Sequence, residues 1–255
     1  MKALLLSAGR GERLRPLTDE IPKPLIRIGG RPLIDYALAV LRRGGVTDVA
    51  INVHHLSGRM TRSLVEAPEG IRITWAPEPE LLGTGGPLAG LADFFGGEPF
   101  IVMNSDTILD LDIARLAEFH RENQALATFV LRPIVQPGAY SEIQADSSGR
   151  IVRMRLLIDR KSGRFEDYSI GASNSAVTAY MYCGAAICEP EAARMAVRPP
   201  PSSLMGDLFA PALKKGARLF GFVHHGFFRT VDDLAAYEEL RREFDNSPPK
   251  LRYIG

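Results

Sequence analysis

The segment Ser7-Ala8-Gly9-Arg10-Gly11-Glu12-Arg13-Leu14 sets two glycines one residue apart and follows them with an arginine. Glycine lets backbone N–H groups approach phosphate oxygens with no Cβ in the way. Arg13, Arg15 and Lys23 fall within eleven positions, beside Pro16, Pro22 and Pro24. Proline fixes φ and stiffens a loop. A stiff loop carrying guanidinium and ammonium groups suits a polyphosphate. Any one of these basic residues also reads as solvated surface charge, and Gly9-x-Gly11 alone also fits a tight strand-to-helix turn. A Walker loop would close on Gly-Lys-Ser/Thr, which is missing. A dinucleotide fingerprint would need a small residue where Leu14 stands.

The elements around this loop tell where it lies. Lys2 to Leu6 is a short apolar run, read as a buried first strand. Pro32 to Arg43 places Leu33, Ile34, Ala37, Leu38 and Leu41 on one helix face, with Gly44-Gly45 after its end. Strands are expected over Val49–Val53, Ile71–Trp75, Phe100–Met103 and Ala127–Leu131, with helices over Leu56–Val65, Leu88–Phe95 and Ile113–Glu122. Strand–helix alternation predicts a mostly parallel sheet flanked by helices. Ligands then sit beyond the carboxyl ends of the strands. Residues 7–24 and 104–112 occupy that position, and the second run contains Asn104-Ser105-Asp106.

After about residue 132 the pattern changes. Asp146-Ser147-Ser148-Gly149 is a turn signal before a strand over Ile151–Ile158. Residues 159–175 are rich in Arg, Lys, Gly and Ser, and residues 176–188 are apolar and β-prone. Helix returns over Leu204–Lys215 and Leu234–Phe244, and a mobile tail is expected from Asn246. This half reads as a mixed, partly antiparallel addition.

Composition bounds the rest. The chain has 255 residues, 45% apolar and 24% charged, with 31 basic against 30 acidic residues. That excludes disordered, collagen-like and coiled-coil classes. A net charge of +1 supports neither a large nucleic-acid surface nor a polybasic membrane anchor. No run of eighteen apolar residues suggests a membrane span. Arg10, Glu12 and Arg13 arrive too early for a signal peptide. Cys183 and Cys188 fit no zinc or redox spacing, and reduced buried thiols fit a cytoplasmic location.

The run Ser7-Ala8-Gly9-x-Gly11-x-Arg13-Leu14-x-Pro16-Leu17-Thr18, then Pro22-Lys23-Pro24-Leu25, resembles the signature of sugar-1-phosphate nucleotidylyltransferases, the nucleoside-diphosphate-sugar pyrophosphorylases. Leu82-Gly83-Thr84-Gly85-Gly86-Pro87 is similar to that family's base-recognition loop, and resembles its guanylyltransferase branch, the mannose- or heptose-phosphate enzymes such as mannose-1-phosphate guanylyltransferase, more than its thymidylyl branch; it also fits a Gly-rich helix entry. Asn104-Ser105-Asp106 matches a strand-end aspartate that holds Mg²⁺ in the family. Gly226-Phe227-Phe228-Arg229-Thr230-Val231-Asp232-Asp233 is similar to the motif of the second metal aspartate, which puts Asp232 in that role; a rival register puts Thr230 there. This last motif leans towards cytidylyltransferases. GTP is thus only slightly favoured over CTP and UTP.

The resemblance implies that Leu6, Ala8, Gly9, Gly11, Arg13, Lys23, Gly83, Thr84 and Asp106 bind a nucleoside triphosphate. Arg13, Lys23, Asp106 and Asp232 would act in catalysis, with Asp106 and Asp232 holding Mg²⁺. A sugar 1-phosphate is already an anionic nucleophile, so positioning and charge neutralisation would carry the reaction. Departures fall on the sugar side. The Glu-Lys pair usual in the family has no counterpart in Met154-Arg155-Leu156-Leu157-Ile158, where Arg155, Arg160 or Lys161 could substitute. Ser141 stands where a glycine is expected, and Gly184 matches the sugar-contacting glycine without its asparagine. His54-His55 and His224-His225 match no ligand set.

The expectation is therefore an α/β fold with a Rossmann-like, mostly parallel mixed sheet flanked by helices and a small antiparallel sugar-side extension. One nucleotidyltransferase domain would span 1–245, divided into a nucleotide-binding half 1–131 and a sugar-side half 132–245, with a tail 246–255. No β-helical acyltransferase extension is expected. The partners would be a nucleoside triphosphate and a sugar 1-phosphate, with no nucleic acid and no membrane; homo-oligomerisation stays open. Three rivals stand: a catalytically silent nucleotide-sugar sensor of the same fold, a cytidylyltransferase for a non-sugar phosphate such as phosphocholine, and a dinucleotide oxidoreductase. Leu14 and Pro22-Lys23-Pro24 count against the last.

Overall fold

The computed structural model describes residues 1–64, 69–134, 138, 140–159, 162–171, 176–196 and 199–253. Its main strands, in chain order, are β1 (Lys2–Leu6), β2 (Asp48–Val53), β3 (Arg72–Pro77), β4 (Phe100–Asn104), β5 (Thr107–Leu109), β6 (Ala127–Pro133), β7 (Glu142–Ala145), β8 (Ile151–Asp159), β9 (Arg164–Ser169), β10 (Thr178–Cys188), β11 (Leu219–Val223) and β12 (Phe228–Thr230). The longer helices are α1 (Leu33–Arg43), α2 (Ser57–Ser63), α3 (Ile113–Glu122) and α4 (Leu234–Asn246). The alternation is that of a Rossmann-like α/β fold, with a mixed sheet flanked by helices.

The chain divides into two compact units. The first comprises Met1–Leu81, Ile101–Ile113 and Gly226–Gly255. Its sheet runs in the order β4-β1-β2-β3. β1 and β2 are parallel, with Ala3 opposite Val49 and Leu5 opposite Ile51, and β2 and β3 are also parallel. Ala3, Leu4 and Leu5 are fully buried. A strand covered on both faces reads as a continuous apolar run, which is why Ala3-Leu4-Leu5-Leu6 stands out in the sequence. α1 buries Leu33, Ile34, Ala37, Leu38 and Leu41, the stripe its spacing predicts, and adds Tyr36, whose hydroxyl donates to the Ile28 carbonyl at 2.8 Å.

The segment expected as a mobile tail is docked. Arg252 donates from Nε to Asp110 Oδ2 at 3.0 Å and from Nη2 to the Asp110 carbonyl at 2.8 Å, while Leu251 and Tyr253 are buried. The ion pair and the two apolar side chains offset the entropy of ordering a segment that Pro248-Pro249 marked as loose.

The second unit comprises Leu82–Phe100 and Ala114–His225. Its strand order is β9-β8-β7-β10-β6-β11. The β8–β9, β8–β7, β10–β7 and β10–β6 pairs are antiparallel, and β11–β6 is parallel. This is the antiparallel part expected after residue 132. The helix expected over Leu88–Phe95 is two short helices, Gly86–Gly90 and Ala92–Phe95, separated at Leu91, whose φ of −108° leaves the helical range. Leu204–Lys215 likewise divides into a wide turn, Leu204–Phe209, and a helix, Ala210–Lys214. Cys183 and Cys188 are free and buried, and burial pushes the Cys183 thiol up to about 12. Among the described residues, no helix is long and apolar enough to cross a membrane.

Candidate active site

β1 delivers the chain to the glycine loop, and a buried polar relay fixes the point of departure. The Ser7 N–H donates to Asn52 Oδ1 at 2.7 Å, and Asn52 Nδ2 donates to Glu78 Oε1 at 2.7 Å. All three residues are buried. Backbone pairing between β1 and β2 ends near here, so the Asn52 side chain takes over the acceptor role that a strand would have supplied. The carboxylate of Glu78 orients the Asn52 amide, so that its oxygen faces Ser7. His54 Nδ1 lies 2.9 Å from the Glu78 carbonyl, and His55 Nε2 lies 2.9 Å from the Thr18 carbonyl. Each imidazole thus ties its own segment to a neighbouring backbone carbonyl.

Within the loop, Gly11 has φ +64°, a conformation that L side chains rarely adopt. A Cβ there would lie 2.8 Å from Thr18 Cγ2 and 3.3 Å from Lys23 Cβ. The Thr18 hydroxyl donates to the Gly11 carbonyl at 2.9 Å. Gly11 is therefore packed directly beneath Lys23, and the second glycine and the lysine form one local structure. Gly9 is different: a Cβ there would meet nothing within 4 Å. Ala8 and Leu14 are buried and pin the loop from within.

The carboxylates arrive from two other segments of the same unit. The Leu6 carbonyl accepts from the Ser105 N–H at 3.2 Å and from the Ser105 hydroxyl at 2.8 Å, which ties the end of β1 to the Asp106 turn. Lys23 Nζ pairs directly with Asp106 Oδ2, and both side chains are largely shielded, at 12% and 23% exposure. β5 and β12 form a two-stranded antiparallel ladder in which Thr107 faces Thr230, and the Val231 N–H donates to the Asp106 carbonyl at 3.4 Å. Asp232 follows directly and meets Arg13 Nη2 at 3.6 Å. Asp233, by contrast, caps α4: its Oδ1 accepts from the Ala236 N–H at 2.9 Å. The structure thus brings Arg13, Lys23, Asp106 and Asp232 together in one unit with Leu6, Ala8, Gly9 and Gly11. Thr230 sits inside the ladder.

The donor set can be tested against a divalent cation. Among the described residues, no group of three or more His, Cys, Asp and Glu side chains could hold a metal ion. Two neighbouring carboxylates nevertheless fit Mg²⁺, which commonly takes one or two of them and completes its shell with water and substrate phosphates. Lys23 pairs with the first of these carboxylates, Asp106, and Arg13 with the second, Asp232.

Gly83, Thr84, Ser141 and Gly184 lie in the second unit. Gly83 has φ +80°, and a Cβ there would lie 2.3 Å from the Ser202 carbonyl oxygen. The Gly85 N–H donates to that oxygen, the Ser202 N–H donates to the Leu82 carbonyl, each at 2.9 Å, and the Leu204 N–H donates to the Thr84 hydroxyl at 2.9 Å. Residues 202–204 thus clamp the whole Gly-rich loop. Ser141 Oγ accepts from the Leu157 N–H at 2.9 Å, and Gly184, with φ +75°, sits where the β10–β6 register shifts. Arg155 faces Glu142 across β8–β7, at 3.5 Å, and stacks 4.1 Å from the centroid of the Phe165 ring. Arg160 and Lys161 lie outside the described residues. Sequence reasoning missed Asn52, Glu78, Ser105 and Ser202. A buried polar residue inside an apolar strand, Asn52 in Val49–Val53, was the one available signal.

The family profile described as "Nucleotidyl transferase" matches residues 2–155. Mannose-1-phosphate guanyltransferase of Saccharomyces cerevisiae is 33% identical over 235 residues, covering 91% of this chain and 61% of the yeast protein. The protein of the same name from Yarrowia lipolytica is 41% identical over 147 residues, 56% of this chain and 40% of its own. The chain thus spans at most about three fifths of the length of these relatives. The crystal structure of HddC from Yersinia pseudotuberculosis complexed with GMP-PN superposes with a TM-score of 0.73 at 19% identity, over 95% of this chain and 99% of that one, a likeness of fold.

Proposed function

The chain belongs to the nucleotidyl transferase family, and we propose that it joins a sugar 1-phosphate to the α-phosphate of a nucleoside triphosphate, releasing pyrophosphate. GTP is the favoured donor and mannose 1-phosphate the favoured acceptor. Two relatives named mannose-1-phosphate guanyltransferase and a fold neighbour complexed with GMP-PN support that choice.

The observation that carries the reading is the paired ion pairs, Lys23 with Asp106 and Arg13 with Asp232, beside a glycine loop that leaves room at Gly9. The reaction must bring two polyanions together. One phosphate oxygen of the acceptor attacks the α-phosphorus, a new P–O bond forms, and the bond to the β-phosphate oxygen breaks. The nucleophile is already ionised, so no side chain need take a proton from it. Lys23 offsets charge between attacker and α-phosphate, and Arg13 steadies the pyrophosphate as it leaves. Backbone N–H groups around Gly9 and Gly11 hold the triphosphate. Asp106 and Asp232 would hold Mg²⁺, which when bound neutralises phosphate oxygens as a Lewis acid. Lys23, which pairs with Asp106 in the structure, is the ammonium group that would meet the substrate phosphate.

The test is pyrophosphate release with Mg²⁺ across GTP, CTP, UTP, dTTP and ATP, against a panel of sugar 1-phosphates and phosphocholine. Release restricted to GTP with mannose 1-phosphate is expected. Release with another pair redirects the substrate assignment. Silence across the panel with nucleotide binding intact would put a nucleotide-sugar sensor ahead, a reading that the engagement of Arg155 by Glu142 favours.

A further inference from the structure

The β5–β12 ladder that joins the Asp106 turn to Asp232 has only three residues on each strand. Two strands alone are marginally stable in water, so the ladder needs support from outside itself. Residues 234–253 give it that support on both strands.

On β12, Arg229 makes a two-pronged ion pair with Glu243 of α4, Nε to Oε2 at 3.0 Å and Nη2 to Oε1 at 3.3 Å. The Phe227 ring, just before the strand, meets Phe244 edge-on with centroids 6.1 Å apart. On β5 the grip falls on Asp110, the residue after the strand. Its N–H donates to the Phe227 carbonyl at 3.0 Å, which extends the ladder by one bond. Its carboxylate accepts from the Arg252 backbone N–H at 3.2 Å and from Arg252 Nε at 3.0 Å, and its carbonyl accepts from Arg252 Nη2 at 2.8 Å. Three donors of one residue thus converge on one residue. Arg252 is anchored in turn. Its carbonyl accepts from Arg43 Nη1, at the end of α1, at 2.6 Å, and its neighbours Leu251 and Tyr253 are buried.

An exposed ion pair usually contributes little. This one differs, because the Asp110 side chain is only 13% exposed and the bonds to it are charge-assisted and convergent. All of these residues lie in the first unit, with Asp106 and Asp232.

We propose that Arg252 is a positioning residue for the two carboxylates: it grips Asp110, and through β5 and the ladder it fixes Asp106 against Asp232. The inference rests on the proposed role of that pair in holding Mg²⁺. Mg²⁺ tolerates little departure from its preferred geometry, so a displaced ladder shows first as a higher Mg²⁺ requirement.

The experiment compares the full chain with Arg252→Ala, Asp110→Ala, the double variant and a control, Arg72→Ala. Arg72 forks Asp48 at 2.8 and 2.7 Å across β2–β3, in the same unit and outside the ladder. Two quantities are read: the Mg²⁺ concentration giving half-maximal pyrophosphate release, and hydrogen exchange at the Val231 amide, whose bond to the Asp106 carbonyl joins the two carboxylate-bearing turns. Arg252→Ala and Asp110→Ala should each raise the Mg²⁺ requirement about tenfold, the scale of losing an outer partner of a metal ligand, and should speed Val231 exchange. The double variant should be no worse than either single one, since both remove the same contact. Arg72→Ala should match wild type in both readouts. An active Arg252→Ala chain with a wild-type Mg²⁺ requirement would overturn the proposal whatever its melting temperature, and so would an equal rise in Arg72→Ala. In a chain silent across the substrate panel, Val231 exchange decides alone. Faster exchange in Arg252→Ala would then sink the proposed reaction and leave the clasp standing, and unchanged exchange would sink the clasp.

Discussion

Asp106 and Asp232, 126 positions apart in the chain, flank the same end of the β5–β12 ladder: Thr107 faces Thr230, and the Val231 N–H donates to the Asp106 carbonyl. Three ladder residues on each side do the joining, and they do it inside a single compact unit. Each carboxylate carries its own cation, Lys23 on Asp106 and Arg13 on Asp232, so neither is stranded as an unpaired charge.

If both carboxylates serve the reaction, each should matter on its own. Asp106→Asn and Asp232→Asn should each lower turnover by about 10²–10³-fold at fixed Mg²⁺, the scale of losing one preorganised charge-stabilising group. Thr230→Val should stay near wild type, because Thr230 lies within the ladder. Steady-state pyrophosphate release decides it. A dead Thr230→Val beside an active Asp232→Asn would reverse the assignment.

Gly11→Ala should cost about 1–2 kcal/mol, the penalty for an L residue in the left-handed region. The added methyl also lands 2.8 Å from Thr18 Cγ2, with Lys23 Cβ next to it, so the strain reaches the lysine. Gly9→Ala meets nothing in the protein itself, so its melting temperature should hold while its Michaelis constant for triphosphate rises. Thermal unfolding and triphosphate kinetics on both variants separate the cases. Equal melting losses would show that the two glycines do the same job.

Much of this arrangement is legible in the residue types and their spacing. The parallel strands of the first unit announce themselves because strands covered on both faces are apolar throughout, as in β1. The Arg13 and Lys23 loop is legible because its glycines and prolines are spaced by backbone demands. β9 is not: Arg164–Ser169 is polar, mostly exposed and sits at a sheet edge, so it carries no hydrophobic period. The clamp of Gly83 by Ser202 is hidden too, since a backbone-to-backbone contact across 119 positions leaves no trace in side-chain types. Docking of the tail depends on the pairing of Arg252 with Asp110, two exposed-looking charges 142 positions apart with no local pattern to join them.

Asn52→Leu should destabilise the chain by about 1–3 kcal/mol, because the Ser7 N–H then has no acceptor in a buried place. Glu78→Gln should do less, since its side-chain oxygen can still accept from Asn52. Both should raise the Michaelis constant for triphosphate more than they lower turnover, because the relay positions the loop and touches no reacting atom. Denaturant midpoints beside a split of the two kinetic constants provide the check. An Asn52→Leu variant with normal triphosphate affinity would make the relay purely structural.

His120 supplies a pH-dependent term in stability. It is buried, with Nδ1 2.8 Å from the Thr128 hydroxyl and Nε2 3.2 Å from Glu189 Oε1. Burial holds its proton affinity below the usual histidine range, and the Glu189 carboxylate only partly restores it. The unfolded chain therefore binds this proton more readily than the folded one. Stability from this group is full above the unfolded value of about 6.5 and is lost as pH falls from there towards the lower folded value. Unfolding measured in urea from pH 8 to pH 5 should show that loss, and His120→Gln should flatten it relative to wild type. Glu189→Gln removes the one partner that favours the charged ring, so it should steepen the loss and carry it to lower pH. If His120→Gln and wild type give parallel curves across that window, the ring titrates alike in both states and its burial has no energetic consequence for the fold.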